Sequence, residues 1–533
     1  MACLIAGPGW AITSLRRSTT WMTAALPGPC KPLRAGDAAA AVVGWSSVRG
    51  NHNIRKPRNQ GVRVVDPCSD VMAQPGPAMR QAMLSITRSK VPYKTPHDHV
   101  RKRSIMYLKT FSSRVLFEVL NHGVVTSRKP LSAAAAALVR SSARGYYNTG
   151  KPRDPGPGRA AHGRVVDLRS DTVTKPGPAM RQAMAEAEVG DDVLREDPSV
   201  NELQQIAADM FQMEAALFVP SGTMSNLIAV MVHCRERGDE MIVDDRSHLH
   251  IYEQGGSAQL AGVHSTTVTT LPDGTFDLEQ LESKIRHDYP DPHYPRSRLI
   301  CVENTHNVQG GRVLPLTFLQ EVRALADRYG LSVHMDGARV MNAAVAQRVP
   351  PSTILQHTHT VSVCLSKGLG APVGTILAGP RDFISQAVRC RKALGGGMRQ
   401  AGILAAAGKL SLLEMVERLE EDHRNAKTFA EALLDCDPPL FAVDMAAVET
   451  NILRFRLQEP SLSPSEFCAR MGQVGEGEEA ALGQGIQVLM YPYFGNSVRA
   501  VWHLGISPED TQLAIQKMQF VASQFLKEKV RTQ

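Results

Sequence analysis

The sequence predicts an α/β fold: a large domain with a mixed, mostly parallel sheet flanked by helices, followed by a smaller C-terminal α+β domain. From residue 164 onward, helix-like segments alternate with short β-branched runs, an order typical of strand–helix–strand units. Three of these runs end on chemically useful residues, and ligands in such folds bind beyond the carboxyl ends of the strands. After residue 408 the pattern turns mainly helical, and residues 488–533 indicate an α+β unit.

Local signals predict the individual elements in chain order. Residues 221–238 begin with a serine suited to helix capping and end with a glycine, so we expect a helix there. Residues 315–330 form an amphipathic helical pattern that also ends in glycine. Apolar, β-branched runs predict four strands, at residues 241–245, 299–304, 331–336 and 360–367.

The basic charge of the chain is concentrated in its first 160 residues. They carry a net charge of +19 and the remaining residues −11, which together give the +8 of the whole chain. We therefore expect no nucleic-acid partner. The nine cysteines are scattered without a CxxC pair, and no acid or cysteine lies at zinc-ligand spacing beside the HxH pairs at residues 248 and 357, so we expect no metal. No apolar stretch has the roughly 18–20 residues of a membrane span, so we expect no membrane partner.

Residues 1–160 are predicted to be a basic, disordered extension. Within them, residues 106–147 are rich in Arg, Ser and Ala with few acids, a composition typical of a mitochondrial transit peptide. A basic tail without an address is the alternative, so cytoplasmic and mitochondrial locations both stay open. Residues 63–83 partly repeat a later segment, which indicates a partial duplication or a misjoined gene. We thus divide the chain into this extension, a large domain at 161–408 and a small domain at 409–533.

Three polar residues follow predicted strands. Lys367 comes after an apolar strand, where a desolvated lysine can form Schiff bases with carbonyls, although a surface lysine is the alternative. Asp336 could hold the proton of a pyridine nitrogen, or could simply begin a helix. Arg339 offers a guanidinium fork suited to a carboxylate, or a surface salt bridge.

Two further signals complete one cofactor. Ser221, Gly222 and Thr223 open a predicted helix, where backbone N–H groups and the helix dipole bind anions, although simple capping is the alternative. His248 could stack on an aromatic ring or be an ordinary histidine. A phosphate cradle, a stacking histidine, a nitrogen-pairing aspartate and a Schiff-base lysine, in this chain order, predict pyridoxal 5′-phosphate (PLP). A nicotinamide cofactor is disfavoured because no GxGxxG opens a helix after the first strand.

Ten ordered segments resemble the low-specificity L-threonine aldolases, which are PLP enzymes of fold type I, and animal members in particular. They are DLRSDTVTKP (167–176), VGDDV (189–193), EDPSV (196–200), PSGTMSN (220–226), ENTHN (303–307), MDGAR (335–339), CLSKGLGAPVG (364–374), RKALGGGMRQAG (391–402), EDHRNA (421–426) and ETN (449–451). The resemblance is close from residue 164 to about residue 424 and weaker beyond.

The resemblance implies a carbon–carbon lyase (an aldehyde-lyase) that cleaves L-threonine and L-allo-threonine to glycine and acetaldehyde, in threonine catabolism and glycine formation. It also implies a homotetramer with active sites at subunit interfaces. The implied roles are a Schiff base with PLP for Lys367, a pair with the ring nitrogen for Asp336, ring stacking for His248, phosphate binding for Gly222, Thr223 and Arg399, substrate carboxylate binding for Ser170, Arg339 and Arg499, and a place near the substrate hydroxyl for His306.

One departure from the family pattern affects the expected site. Leu194 and Arg195 stand where family members commonly carry Tyr-Gly. The loss of a tyrosine hydroxyl could change substrate preference or rate. Four alternatives to an aldolase stay open: a serine hydroxymethyltransferase-like enzyme, an aminotransferase, a β-eliminating lyase and, because of this departure, a catalytically impaired family member.

Overall fold

The computed structural model describes residues 163–286, 291–437 and 439–532. The predicted extension at 1–160, with its repeat at 63–83 and its transit-like segment at 106–147, lies outside the described residues. The strands are β1 (Gly163–Asp167), β2 (Ala215–Val219), β3 (Asp239–Asp244), β4 (His264–Val268), β5 (Arg296–Glu303), β6 (Ser332–Asp336), β7 (Thr360–Cys364), β8 (Thr375–Gly379), β9 (Phe441–Ala442), β10 (Ile452–Leu457), β11 (Gly485–Leu489), β12 (Tyr491–Tyr493) and β13 (Ser497–Val501).

The helices alternate with these strands through the first half of the described chain. They are α1 (Pro178–Ala185), α2 (Pro198–Phe211), α3 (Gly222–His233), α4 (His248–Ile251), α5 (Leu278–Lys284), α6 (Leu316–Tyr329), α7 (Val340–Gln347), α8 (Pro351–Leu355), α9 (Arg381–Ala393), α10 (Gly402–Leu413), α11 (Leu419–Leu434), α12 (Pro464–Met471), α13 (Glu478–Leu482) and α14 (Pro508–Thr532). Among the described residues, no helix combines the length and apolar character needed to cross a membrane.

The central sheet has seven strands in the order β2-β8-β7-β6-β5-β3-β4. The neighbours from β7 to β4 are parallel, whereas β8 runs antiparallel to both β7 and β2. Every residue of β3, β7 and β8 is buried, as expected for a sheet covered by helices on both faces. The predicted mixed, mostly parallel sheet is confirmed.

The local signals located the elements better than their ends. α6 ends at Gly330, whose φ of +65° gives the left-handed cap that glycine adopts without strain. α3 begins after Ser221 as predicted but ends at His233 instead of at residue 238, because the Arg235 side chain donates to the carbonyl of Val232 and the chain turns there. β7 ends at Cys364, since the Leu365 amide then bonds to the carbonyl of Gly374 in a tight turn.

A second core lies in the C-terminal part of the chain. It contains a four-stranded antiparallel sheet in the order β12-β13-β10-β9 and an aromatic cluster around Trp502 and Phe455. The first described strand belongs to this core, since β1 pairs in parallel with β11 and buries Val166 there, as does Leu168 just after the strand. The proposed division of the chain at residue 408 thus has β1 as an exception.

Candidate active site

The carboxyl ends of three neighbouring parallel strands form the floor of the candidate site. Glu303 at the end of β5 is opposite Asp336 at the end of β6, and Asp336 is opposite Ser362 near the end of β7. Because parallel strands end at the same edge of a sheet, Lys367 emerges at this edge too, three residues after β7. The strand ends singled out in the sequence therefore meet at one edge.

The N-terminus of α3 provides an anion site beside these strands. The Ser221 hydroxyl accepts a hydrogen bond from the Met224 amide at 3.2 Å, and no described hydrogen bond uses the amides of Gly222 and Thr223. A side-chain carbon at Gly222 would lie 2.9 Å from the Cys364 Sγ, so this close approach of helix and strand requires glycine. Two backbone donors at the positive end of a 12-residue helix suit a phosphate.

Asp336 is a buried carboxylate supplied with donors by its neighbours. One oxygen accepts from the Ala338 amide at 3.1 Å and the other from the Asn226 side-chain amide at 2.9 Å. The same Asn226 nitrogen donates to Glu253 at 2.9 Å. These donors fix the orientation of a carboxylate that can pair with a protonated ring nitrogen.

His248 is fixed at both its backbone and its side chain. Its amide donates to Glu303, and its Nδ1 donates to Glu253 at 3.0 Å. Burial lowers the pKa of His248, but its hydrogen bond to Glu253 and the charge of Asp336 outweigh burial, so the pKa is raised above its ordinary value. The side chain is 34% exposed, which leaves room for a ring against it.

Lys367 is partly buried and lies among charged side chains. The Thr174 hydroxyl donates to its carbonyl at 3.2 Å, and the lysine charge acts on both Asp171 and His248. The glycine that follows it packs against Leu419, where a side-chain carbon would lie 2.8 Å from that residue. The lysine is therefore held between the strand end and the C-terminal helices, next to the proposed ring position.

Two buried arginines both donate to the side-chain oxygen of Asn307 but differ in their other partners. Arg339 binds Asp171 through two hydrogen bonds of 2.7 Å, whereas Arg499 donates to the Asn307 side chain at 2.8 Å and its Nε has no hydrogen-bond partner among the described residues. Burial would raise the pKa of Asp171, yet Arg339 holds that pKa well below its usual range. Two cations facing one carboxylate leave a net positive charge that a substrate carboxylate can balance.

Ser170 and Arg499 approach each other through the backbone of the first described segment. Arg499 donates weakly to the carbonyl of Arg169 at 3.5 Å, and Ser170 follows that residue directly. The Ser170 hydroxyl caps the short 3-10 helix that carries Asp171, accepting from the Thr172 amide at 3.2 Å. Arg339 thus already pairs with one carboxylate, and binding of the substrate carboxylate by Ser170, Arg339 and Arg499 stays a prediction.

His306 is fully buried and uses both ring nitrogens. Its Nδ1 accepts from the Gln309 amide at 3.3 Å, so its Nε2 carries the proton and donates to Asp244 at 3.0 Å. Burial lowers the pKa of His306, but the bond to Asp244 and the charge of Glu303 outweigh burial and raise it. A place near the substrate hydroxyl stays a prediction, and in this structure the ring offers no free lone pair.

Arg399 is not joined to the other predicted site residues by any contact among the described residues. It is 57% exposed and pairs with Asp191 at 2.7 Å. Asp191 lies in the same loop as Leu194, whose side chain is 63% exposed. A phosphate contact from Arg399 therefore stays a prediction that this single chain does not test.

Arg195, in that loop, adopts a backbone conformation that favours glycine. Its φ of +63° lies in the left-handed region, which costs a residue with a side chain about 1–2 kcal/mol. Glycine adds chain entropy to the unfolded state, so we expect Arg195→Gly to raise the free energy of unfolding by a net of roughly 0.5–1 kcal/mol. Denaturant titration measures it. Gly330→Ala, at φ +65° with open space around a new side chain, is the matched control and should lower stability instead; a fall for Arg195→Gly would contradict the prediction.

A cavity of about 930 Å³ opens away from this site, between α2, α9 and the edge strand β2. Its wall contains a buried ion pair in which Arg391 contacts Asp192 at 2.8 Å. None of the predicted site residues lines this cavity. The chemistry is therefore assigned to the strand ends, where the titratable groups converge.

One atom each of His248, Glu253 and Asp336 lies within 4.8 Å of the others, close enough to hold a metal ion. Asn226 directs its amide nitrogen at two of the three, as a hydrogen-bond network requires and a cation site does not. The arrangement fits an aromatic cofactor ring better than a metal. That the chain holds no metal stays an expectation.

Four functional side chains were not singled out from the sequence: Asp171, Asn226, Glu253 and Asn307. All but Glu253 lie within segments that carry the family resemblance, so their positions were visible but their partners were not. Glu253 lies five residues after His248. The short helix α4 and the turn after it bring the two side chains within hydrogen-bond distance. This spacing from His248 is the one sequence signal that could have identified Glu253.

The residues at this edge fit PLP in both charge and placement. α3 offers two amides for the phosphate, Asp336 offers a carboxylate for the ring nitrogen, and Lys367 lies beside both Asp171 and His248. The unpaired Nε of Arg499 offers a donor to the substrate. These donors match the phosphate, the pyridine and the aldehyde of one cofactor and the carboxylate of an amino acid.

Comparison with known proteins gives a consistent result. The beta-eliminating lyase family matches residues 167–458. The chain is 49% identical to low-specificity L-threonine aldolase 1 of Arabidopsis thaliana, over 57% of this chain and 84% of that protein, and 43% identical to the low specificity L-threonine aldolase of Escherichia coli K12, over 65% and 96%. A solved Leishmania major threonine aldolase matches with a TM-score of 0.55 at 18% identity, over 67% of this chain and 99% of that chain, which supports the fold.

Proposed function

The chain belongs to the low-specificity L-threonine aldolase family within the beta-eliminating lyases, and from this membership we propose that it cleaves L-threonine to glycine and acetaldehyde with PLP as cofactor. The observation that carries the proposal is the unbalanced cation Arg499 beside Lys367 and the Arg339–Asp171 pair. An α-amino acid needs both a cationic site for its carboxylate and an amine-reactive lysine. This edge of the sheet offers both.

Arg499 and Ser170 bind and orient the substrate carboxylate. Arg339 pairs with Asp171 through its Nε and one terminal nitrogen, and its other terminal nitrogen is a further donor for the substrate carboxylate. Positioning of this kind converts a loosely bound substrate into a reactive one, and can contribute several kcal/mol to catalysis. When bound, PLP supplies an electron sink for the bond that breaks, and Asp336 balances the positive charge of its ring nitrogen.

The reaction needs a group that takes the proton of the substrate β-hydroxyl. His248 is our candidate, directly or through a water molecule, since Glu253 holds its Nδ1 and the exposed Nε2 is left for the proton. His306, whose Nε2 donates to Asp244, would then lie near the substrate hydroxyl without taking its proton. The hydroxyl oxygen becomes the carbonyl of acetaldehyde as Cα–Cβ breaks, and one proton returns to Cα to give glycine.

We extend the proposal to L-allo-threonine and to a role in threonine catabolism and glycine formation. We also propose a homotetramer whose active sites lie at subunit interfaces. The exposed Arg399 supports this assembly, since a basic residue of the family pattern that is remote from its own chain's site suits a neighbouring subunit's phosphate. Sedimentation of the purified protein tests the assembly.

The assay that tests the proposed function is incubation of the purified protein and PLP with L-threonine. Acetaldehyde and glycine in equal amounts are expected. In parallel incubations, a keto acid released together with ammonia from L-serine or L-threonine would instead indicate a β-eliminating lyase, and a keto acid formed without ammonia, and only with an added keto acid as amino acceptor, would indicate an aminotransferase. No turnover of any of these amino acids would indicate a catalytically impaired member.

Removal of the N-terminal extension should leave catalysis intact. The extension's net charge of +19 opposes the −11 of the remainder, and the family match begins only at residue 167. A protein beginning at Gly163 is expected to bind PLP and cleave threonine within about twofold of the full chain. Insolubility or lost activity would contradict this. A fluorescent fusion to residues 106–147 tests the mitochondrial location separately, and a diffuse signal would remove it.

A further inference from the structure

We propose that Asn226 is a positioning residue for the cofactor: its side-chain amide holds Asp336 in place at the ring nitrogen and joins it to Glu253, which in turn orients His248. The inference rests on the proposed function for its catalytic consequence only. Its consequence for cofactor binding stands on the geometry of the described residues.

The contacts of Asn226 are short, buried and directed at two carboxylates. The residue is 1% exposed and lies on α3, one turn after the proposed phosphate site. Its Nδ2 lies 2.9 Å from an oxygen of Asp336 and 2.9 Å from an oxygen of Glu253. An amide NH₂ has two protons to donate, so one group satisfies both carboxylates.

A chain of hydrogen bonds fixes which way this amide faces. Its oxygen lies 3.1 Å from the Nε2 of His334, so that nitrogen must donate, and the Nδ1 of His334 then accepts from the Thr360 hydroxyl at 2.9 Å. The Thr360 oxygen in turn accepts from His233 at 2.9 Å. Every donor in this series of hydrogen bonds points toward the carboxylates, so a flipped Asn226 amide would break three hydrogen bonds at once.

Burial keeps His334 and His233 neutral, as the directions of these hydrogen bonds require. It lowers the pKa of His334 to about 4 and that of His233 to about 3. A neutral imidazole has one donor and one acceptor, which is the combination that links Thr360 to Asn226. Buried networks whose members are all satisfied fix a single arrangement of side chains.

The arrangement gives Asn226 a role that no neighbouring donor replaces. Asp336 and Glu253 are both buried, and their like charges would repel without a donor between them. Asn226 lets both stay in place, so that Asp336 faces the ring nitrogen and Glu253 accepts from His248. Loss of the amide should therefore weaken the cofactor site while the carboxylate site at Arg499 stays unchanged.

The test compares three variants, with the PLP dissociation constant of the apoprotein as the first readout. Asn226→Ala should raise this constant about tenfold to a hundredfold, as expected for lost hydrogen bonds to charged groups. Asn226→Asp is closer in shape to asparagine but places a third carboxylate beside two others, so it should raise the constant further. Ser225→Ala is the control, because it removes a buried 2.7 Å hydrogen bond to Ser362 from the same turn of α3 without touching either carboxylate.

The order of the PLP dissociation constants among the three variants distinguishes a positioning role of Asn226 from a purely structural one. A merely structural role would make Asn226→Asp the milder variant, and that order would overturn the proposal, as would equal effects of Ser225→Ala and Asn226→Ala. With PLP at saturation, we expect kcat for threonine to fall tenfold or more and KM to stay within about threefold. If the wild-type protein does not cleave threonine, the proposed function fails, but the dissociation constants still decide the role of Asn226.

Discussion

Replacing Lys367 with alanine should abolish the absorption band of lysine-bound PLP and reduce threonine cleavage on the order of a thousandfold or more, the scale seen when covalent nucleophiles are removed from other enzymes. The lysine emerges beyond β7, beside Asp336 and His248, and no other lysine of the described residues shares that edge in the contacts given above. Its loss removes the amine that captures the cofactor aldehyde. Absorbance of the purified protein and the acetaldehyde assay measure the two effects.

The fold should survive this substitution, because Lys367 is only partly buried and makes its one described hydrogen bond through its backbone carbonyl. Lys427→Ala, on the exposed face of α11, is the matched control and should behave as wild type. Wild-type turnover and an unchanged absorption band in Lys367→Ala would show that the Schiff-base lysine lies elsewhere.

Alanine substitutions of the two buried arginines should have different consequences. Arg499→Ala removes a charge-assisted contact with the substrate, worth about 1.5–3 kcal/mol, and should raise KM for threonine roughly tenfold to a hundredfold with PLP still bound. Arg339→Ala leaves Asp171 buried without its cation and should lower the free energy of unfolding by about 3–5 kcal/mol.

Steady-state kinetics and denaturant titration separate these outcomes. Arg169→Ala is a useful control, since the side chain of this arginine is partly exposed and pairs with Asp167. Equal losses of stability in the two arginine variants would contradict the prediction that Arg339 contributes more to stability than Arg499 does. A wild-type KM in Arg499→Ala would place the carboxylate site elsewhere.

The sequence allowed the sheet and the strand-end residues to be predicted because both depend on local pattern. Apolar runs define the strands, and a parallel sheet brings Glu303, Asp336 and Lys367 to one edge regardless of distance along the chain. The start of α3 was predictable for the same reason, since a capping serine acts on its own helix.

Partners chosen over long distances could not be predicted in this way. Arg339 pairs with Asp171, which lies 168 positions earlier, while its contact with the substrate carboxylate stays a prediction. Asn226 meets Asp336 across 110 positions. Many aspartates and asparagines in the chain have similar local sequence surroundings, so only tertiary packing determines which of them makes the contact. The backbone of Arg195 is a different case, since nothing in the local pattern signals a positive φ for arginine.

The pairing of β1 with β11 sets the order in which the enzyme can be completed during its synthesis. Arg164 and Asp510, joined by a 2.7 Å ion pair beside this strand pair, lie 346 positions apart. During synthesis, β1 therefore stays unpaired until almost all of the remaining chain has been made. Closing so long a loop is slow, and residues that contact across it raise the contact order of the domain. Asp171 follows β1 directly and holds Arg339. A nascent chain arrested before residue 485 is therefore expected to contain Lys367, Asp336 and His248 and yet to be inactive.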